Sequence, residues 1–124
     1  MQIYKTKDFN KWADKEGLTD TVLYAAVVEI EQGLVDANLG GQVYKKRVAL
    51  GGRGKSGGVR TLLAYKAGDK AFFLYGFSKN VRANISEEEK KALKLLAKQL
   101  MAYSDKALVK AVKAGALVEV ASDE

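Results

Sequence analysis

The sequence predicts an α+β fold in which helices pack on a small antiparallel sheet. Helical periodicity opens the chain, a middle part rich in Val, Tyr and Phe contains a tight turn, and helical periodicity returns near the C-terminus. Helices followed by consecutive strands and then by helices are typical of this class. A chain of 124 residues suits one core, so we expect a single domain over residues 1–124.

The N-terminal part is predicted to hold a short strand and two helices. Residues 3–5 can form the strand, and residues 8–15 place Phe9 and Trp12 three positions apart on one helix face. Residues 19–32 carry apolar side chains at the 3.6-residue period, which indicates a longer helix.

The middle part is predicted to be a three-stranded antiparallel meander. Residues 42–49, rich in Val and Tyr, form its first strand, and the glycine-rich residues 51–58 form a loop. Residues 59–66 and 70–78 form the next two strands, because the short Ala-Gly-Asp turn between them indicates a hairpin.

The C-terminal part is predicted to return to helix. Ser86 and Glu89 fit the capping box that opens a helix, and Ser104 is predicted to cap another helix that ends near Gly115. Residues 117–120 fit either a last strand or an extended tail. With the helices collected on one face of the sheet, we expect the other face to be open and the basic residues to lie near it.

Composition excludes several kinds of chemistry. The sequence has no Cys and no His, which rules out disulfides, thiolate chemistry, zinc sites built from His and Cys, and histidine acid–base catalysis. The acids form no ligand-like cluster, so we expect no metal or other cofactor. Without an apolar run of membrane-spanning length or a signal peptide, we expect a cytoplasmic protein with no membrane partner.

Positive charge is concentrated in the middle of the chain. The net charge is +6, and residues 45–82 hold ten Lys and Arg against one acid, Asp69, a net charge of +9. This concentration favours a polyanionic partner such as nucleic acid, the alternative being a solvated basic face.

The glycine-rich segment can bring its backbone close to phosphate groups. A GxGxxG pattern lies within residues 52–57, but in dinucleotide sites that pattern leads into a helix, whereas a strand is predicted here. We therefore expect contact with a phosphate backbone, aided by Arg53, Lys55 and Ser56, with a flexible hairpin connection as the alternative.

Two segments carry a resemblance to a known family. Residues 52–60 read G-x-G-K-S-G-G-x-R and residues 73–80 read F-x-Y-G-F-x-K-N, and with their surroundings they resemble the RelE/HigB-type toxins of bacterial toxin–antitoxin pairs. Residues 5–20 and 85–97 are similar to the family's N-terminal helices and later helix. The resemblance implies a microbial-RNase-like RelE fold and mRNA cleavage, commonly on the ribosome. It also implies neutralisation by an antitoxin, for which we expect a helix-turn-helix protein.

Metal-independent RNA cleavage without His must use Lys, Arg or Tyr. Lys55 is a candidate base for the 2′-OH, and Arg60 suits the phosphate because a guanidinium pairs two phosphate oxygens. Lys79, where the family commonly has a cation, is a candidate to assist the leaving 5′-oxygen. Tyr75 can stack on a base or donate its hydroxyl, although it fits a core aromatic equally well. The residues assigned to RNA binding are Lys45, Lys46, Arg47, Arg53, Ser56 and Arg82.

The sequence leaves alternative functions open. A non-enzymatic nucleic-acid-binding domain would carry the same charge pattern, ParE-like relatives inhibit DNA gyrase instead of cutting RNA, and a plain interaction protein could use a basic strip for an acidic partner. The predicted partners are mRNA, the ribosome and a cognate antitoxin.

Overall fold

The computed structural model describes residues 1–50 and 54–121, and at residues 54–57 it describes the backbone alone. The predicted α+β class is confirmed, and none of the described helices is long and apolar enough to cross a membrane. The elements in chain order are β1 (Gln2–Thr6), α1 (Lys7–Glu16), α2 (Asp20–Glu31), β2 (Ala37–Gly40), β3 (Val43–Leu50), β4 (Gly54–Lys66), β5 (Lys70–Ser78), α3 (Glu87–Met101), α4 (Asp105–Lys113) and β6 (Leu117–Glu119).

The described strands form one six-stranded sheet in the order β2-β3-β4-β5-β1-β6. The predicted meander is confirmed, since β3, β4 and β5 pair in antiparallel fashion in sequence order. β1 lies parallel to β5, and β6 pairs antiparallel to β1, so residues 117–120 contribute a strand and not an extended tail. β2 was not predicted, because its sequence, ANLG, has neither β-branched nor aromatic residues.

The helices begin at the predicted caps. The Ser86 hydroxyl accepts from the Glu89 N–H at 3.1 Å, and the Glu89 carboxylate accepts from the Ser86 N–H at 2.8 Å, which confirms the capping box. Ser104 caps α4 in the predicted way, through a bond from the Ala107 N–H. These bonds satisfy backbone donors that a helix start leaves unpaired.

Helices cover both faces of the sheet, so the expectation of one open face is wrong. Apolar residues of α1 and α2 pack with Ile3, Leu63 and Phe73 in one buried cluster. Residues of α3 and α4 pack with Ala64 and Phe72 in a second cluster on the opposite face. Strand neighbours belong to different clusters because side chains alternate along a strand, and each face therefore needs its own apolar cover.

The expected loop over residues 51–58 is also wrong in part. β4 begins at Gly54, so its backbone is already in the sheet well before the predicted start at Val59, while residues 51–53 lie outside the described part. Gly58 explains how β4 can pair with β3 at one position before Val59. A Cβ at Gly58 would lie 2.0 Å from the Val48 carbonyl oxygen, so glycine permits the close approach of β3 and β4 there.

A β-bulge in β5 changes which face its later residues occupy. Leu63 pairs with Phe73, whereas Leu62 pairs with Tyr75, so Leu74 is the extra residue of β5. Beyond the bulge, Tyr75 lies on the α3 side together with Leu62, although unbroken alternation would have placed it beside Phe73. Bulges commonly re-aim side chains in this way.

Two buried lysines attach α2 to the sheet. Lys5 of β1 pairs with Asp20 at 2.8 Å, and Lys46 of β3 pairs with Glu29 at 2.7 Å. Burial raises the pKa of Asp20, but the bonds from Lys5 and from the Ala121 backbone outweigh it, so the net shift is downward. Both lysines are less than a tenth exposed, and a buried cation of this kind needs its carboxylate partner.

Trp12 of α1 lies directly over Gly76 of β5. A Cβ at Gly76 would lie 2.1 Å from the Trp12 ring, and the same helix stacks Phe9 on Phe73 with ring centroids 5.2 Å apart. The missing side chain of Gly76 is therefore what lets α1 approach the strand closely.

Gly76→Ala tests this contact. Overpacking against Trp12 is expected to lower the free energy of unfolding by about 1–3 kcal/mol, measured by urea unfolding followed by circular dichroism. In a Trp12→Leu background the same substitution should cost clearly less, because the ring that meets the new methyl group is gone. Equal costs in both backgrounds would show that Trp12 does not limit this position.

Candidate nucleic-acid interface and active site

The candidate site lies on the α3 side of the sheet and consists of Arg47, Arg60, Tyr75, Phe77 and Arg82, hereafter the Arg60 site. Arg60 of β4 pairs with Arg47 on one side and with Phe77 on the other, so the three side chains are cross-strand neighbours. None of the three belongs to either apolar cluster of the described residues. Every second side chain of β3 and β4 points to this face. Toward this end of the two strands, those side chains are cationic instead of apolar.

Arg60 is partly buried, and one of its terminal nitrogens makes no hydrogen bond to the described residues. Nη1 is inaccessible to solvent and has no hydrogen-bond partner among the residues that the structure describes. An unsatisfied buried donor typically costs about 1–3 kcal/mol, and more when it is charged.

Arg47 is held at the rim of the site by a carboxylate. Its Nε lies 2.7 Å from Asp36 Oδ1, and about half of its side chain is exposed. Burial raises the pKa of Asp36, but the Arg47 backbone N–H and guanidinium outweigh it, so the net shift is downward. Asp36 therefore stays ionised and fixes Arg47 beside Arg60.

Arg82 joins Tyr75, Phe77 and Glu89 in one network. Its Nη1 donates to the Tyr75 hydroxyl at 3.2 Å and to Glu89 Oε2 at 2.9 Å, while Nη2 pairs with the other carboxylate oxygen. The guanidinium lies 5.8 Å from the centroid of the Phe77 ring, within the range of a cation–π contact. Hydrogen bonds from Arg82, and then from the Ser86 backbone, lower the pKa of Glu89 to about 2. The bonds to Glu89 and Tyr75 raise the pKa of Arg82.

Neighbouring lysines of β3 have opposite surroundings. Lys45 lies on the side of the Arg60 site, opposite Leu62, and is half-buried. Lys46 faces α2, where its ammonium contacts Glu29 and donates to the Leu34 carbonyl at 2.7 Å. Only 3% of Lys46 is exposed, so its side chain is almost inaccessible from the surface.

The other predicted site residues divide into two groups. Lys79 is exposed in the turn that follows β5, two positions beyond Phe77. Arg53 lies outside the described residues, as do the side chains of Lys55 and Ser56. The structure thus brings together Arg47, Arg60, Tyr75 and Arg82, and it separates Lys46 from them.

Sequence reasoning missed Glu89 and Phe77 as parts of this site. Glu89 was recognised only as a helix cap, because nothing in the sequence shows that its carboxylate also reaches Arg82. Phe77 is in the same F-x-Y-G-F segment as Tyr75, and this segment was the available signal. In the described part of the chain, no group of three Asp or Glu side chains is arranged to hold a metal ion.

The depressed pKa of Glu89 predicts a pH dependence of stability. A carboxylate with a folded pKa of about 2, against an ordinary value of 4.5, stabilises the fold fully above pH 4.5 and progressively less as pH falls through about 2. We expect Glu89→Gln to have a lower urea midpoint than the wild type near pH 7, and this difference should shrink toward pH 2. The control is Glu88→Gln, which removes the same charge from an exposed neighbour. A difference that does not depend on pH would contradict the ion pair.

Comparison with known proteins places the chain in a toxin family. A family model described as the RelE toxin of the RelE/RelB toxin–antitoxin system matches residues 1–120. In a comparison with curated proteins, none matches the chain. Because the family match extends over nearly the whole sequence, this chain belongs to the RelE toxin family and is the toxin of a toxin–antitoxin system.

Proposed function

We propose that this toxin is a metal-independent endoribonuclease that cleaves mRNA on the ribosome at the Arg60 site. Its cognate antitoxin, a protein expected to have a helix-turn-helix domain, blocks this activity. The observation that carries the proposal is the Arg60 guanidinium, which combines a buried nitrogen lacking a described partner with cross-strand neighbours that are cationic and aromatic.

The chemistry follows from what a phosphodiester needs. A base takes the proton of the 2′-OH, the 2′-oxygen attacks phosphorus, and the bond from phosphorus to the 5′-oxygen breaks as that oxygen gains a proton. The products are a 2′,3′-cyclic phosphate and a 5′-hydroxyl. Negative charge builds on the phosphoryl oxygens during attack, and a fixed guanidinium stabilises that charge without reorganising.

Arg60 is therefore assigned to the phosphoryl oxygens and Tyr75 to the leaving 5′-oxygen. The Tyr75 hydroxyl is already an acceptor for Arg82, which leaves its own hydrogen available for donation. Lys79 is a second candidate for the leaving group, and Lys55 remains the candidate base, although its side chain lies outside the described residues. Phe77 packs beside Arg60 as its cross-strand neighbour and, at 4% exposure, forms part of the floor of the site.

The RNA backbone is held by cations around the Arg60 site. Lys45 and Arg47 lie on the correct side of β3, and Arg53 and Ser56 remain candidates from the glycine-rich segment. Lys46 is left out because it is buried on the opposite side. Lys66 and Lys70 are also left out, since both pair with Asp69 at the far end of the hairpin.

Arg60→Met tests the proposed activity. Loss of the guanidinium should reduce mRNA cleavage about 100-fold or more, measured by primer extension after induced expression. Lys66→Met removes one charge from the other end of the same strand and serves as the control. Circular dichroism should show both variants folded.

Other outcomes of this experiment identify the alternative functions. Full cleavage and growth arrest by Arg60→Met would remove Arg60 from the mechanism. Toxicity without cleaved mRNA in the wild type would contradict the ribonuclease proposal. In that case a DNA supercoiling assay separates gyrase inhibition from nucleic-acid binding alone.

Lys45 and Lys46 form a matched pair for testing the binding surface. Lys45→Met should weaken RNA binding and lower the slope of log affinity against log salt by about one, because one phosphate contact is lost. Lys46→Met should leave that slope unchanged but lower the free energy of unfolding by about 2 kcal/mol, because the buried Lys46–Glu29 ion pair is lost. Equal effects of the two variants on the salt slope would contradict the assignment of the two lysines to opposite faces.

A further inference from the structure

We propose that Glu89 is a positioning residue for the cleavage reaction, acting through Arg82 to hold the Tyr75 hydroxyl in place as the proton donor. This inference rests on the proposed ribonuclease function and specifies how its proton donor is oriented. It also changes the role of Arg82, which the sequence had assigned to RNA binding.

Glu89 is itself fixed at the start of α3. Its Oε1 accepts from the Ser86 backbone N–H at 2.8 Å, and its own N–H donates to the Ser86 hydroxyl. About a third of the side chain is exposed. The capping box therefore holds the carboxylate in one orientation before it meets Arg82.

Arg82 uses most of its donors within the protein. Two go to Glu89, one goes to Tyr75, and Nε donates to the Asn84 carbonyl at 2.9 Å. A guanidinium has five N–H donors in a fixed plane, so few remain for an RNA phosphate. The plane is further fixed by the Phe77 ring, 5.8 Å away. The arrangement of Arg82 thus suits the orientation of a neighbouring group better than the binding of a substrate phosphate.

The neighbouring group is the Tyr75 hydroxyl. Because its oxygen accepts from Arg82 Nη1, the phenol is restrained in position and its hydrogen remains available for another acceptor. Tyr75 and Arg82 also line a groove of about 280 Å³ between the end of β5 and α1, whose α1 wall includes Asp8, Trp12 and Glu16. When Tyr75 passes its proton to the leaving 5′-oxygen, the negative charge left on its oxygen lies beside the guanidinium, and solvent then returns the proton.

Glu89→Gln separates positioning from helix capping. Glutamine serves in a capping box as glutamate does, so α3 keeps its start, but a neutral amide cannot hold the guanidinium through two charged oxygens. Arg82→Lys tests the same link from the other side, since an ammonium keeps the charge but lacks the planar fork. Glu88→Gln is the control, as Glu88 is an exposed residue of the same helical turn.

The experiment measures single-turnover cleavage of ribosome-bound mRNA and, separately, the Kd of the toxin for the ribosome. We expect Glu89→Gln and Arg82→Lys to reduce the cleavage rate roughly tenfold with Kd within about twofold of wild type, whereas Glu88→Gln changes neither. If Arg82 instead binds phosphate, releasing it from Glu89 will tighten binding without slowing cleavage. That result, or equal rates for the two glutamine variants, overturns the proposal.

An NMR measurement distinguishes failure of this inference from failure of the proposed function. With ¹³C-labelled tyrosine, the Tyr75 ring signal, assigned through Tyr75→Phe, should shift in Glu89→Gln and not in Glu88→Gln. Absence of cleavage by the wild type overturns the ribonuclease function and with it the role of Tyr75 as donor. An unchanged Tyr75 signal in Glu89→Gln overturns the positioning role even where the wild type cleaves RNA.

Discussion

Burial of the sheet on both faces is the constraint on which the rest of this structure depends. With α1 and α2 on one side and α3 and α4 on the other, apolar residues of β3, β4 and β5 pack into one of two clusters. A cation at a strand position must then find a carboxylate within its layer or lie where the helices no longer cover the sheet. Lys46 pairs with Glu29, whereas Arg60 is only partly buried.

The β-bulge at Leu74 connects the burial of both sheet faces with the geometry of the Arg60 site. Up to Phe73, β5 alternates between the two apolar clusters, and its aromatic residues complete both cores. Beyond the bulge the alternation is shifted by one residue, which brings Tyr75 and Phe77 onto the face of Arg60. A single extra residue in one strand therefore decides whether the phenol packs against α1 or lies beside the guanidinium groups.

Carboxylates from outside the central strands organise the cations of the site. Asp36, which precedes β2, holds Arg47, and Glu89 in the first turn of α3 holds Arg82. Arg60 lies between these two pairs and keeps a nitrogen without a partner in the described part of the chain. Pairs on either side restrain the charged groups around the site, and in the proposed function the central cation binds the phosphoryl oxygens. This division suits a site that must be rigid before its ligand arrives.

The sequence by itself determined the α+β class, the two N-terminal helices, the meander and the caps at Ser86 and Ser104. These features depend on local periodicity, on turns and on capping bonds between near neighbours, all of which can be read along the chain. Only the tertiary structure decided that helices cover both faces, that β4 starts at Gly54, that Lys46 is buried while Lys45 is not, and that Glu89 reaches Arg82. Such features depend on strand register and on contacts between distant segments, and a one-residue change of register moves a side chain to the opposite layer.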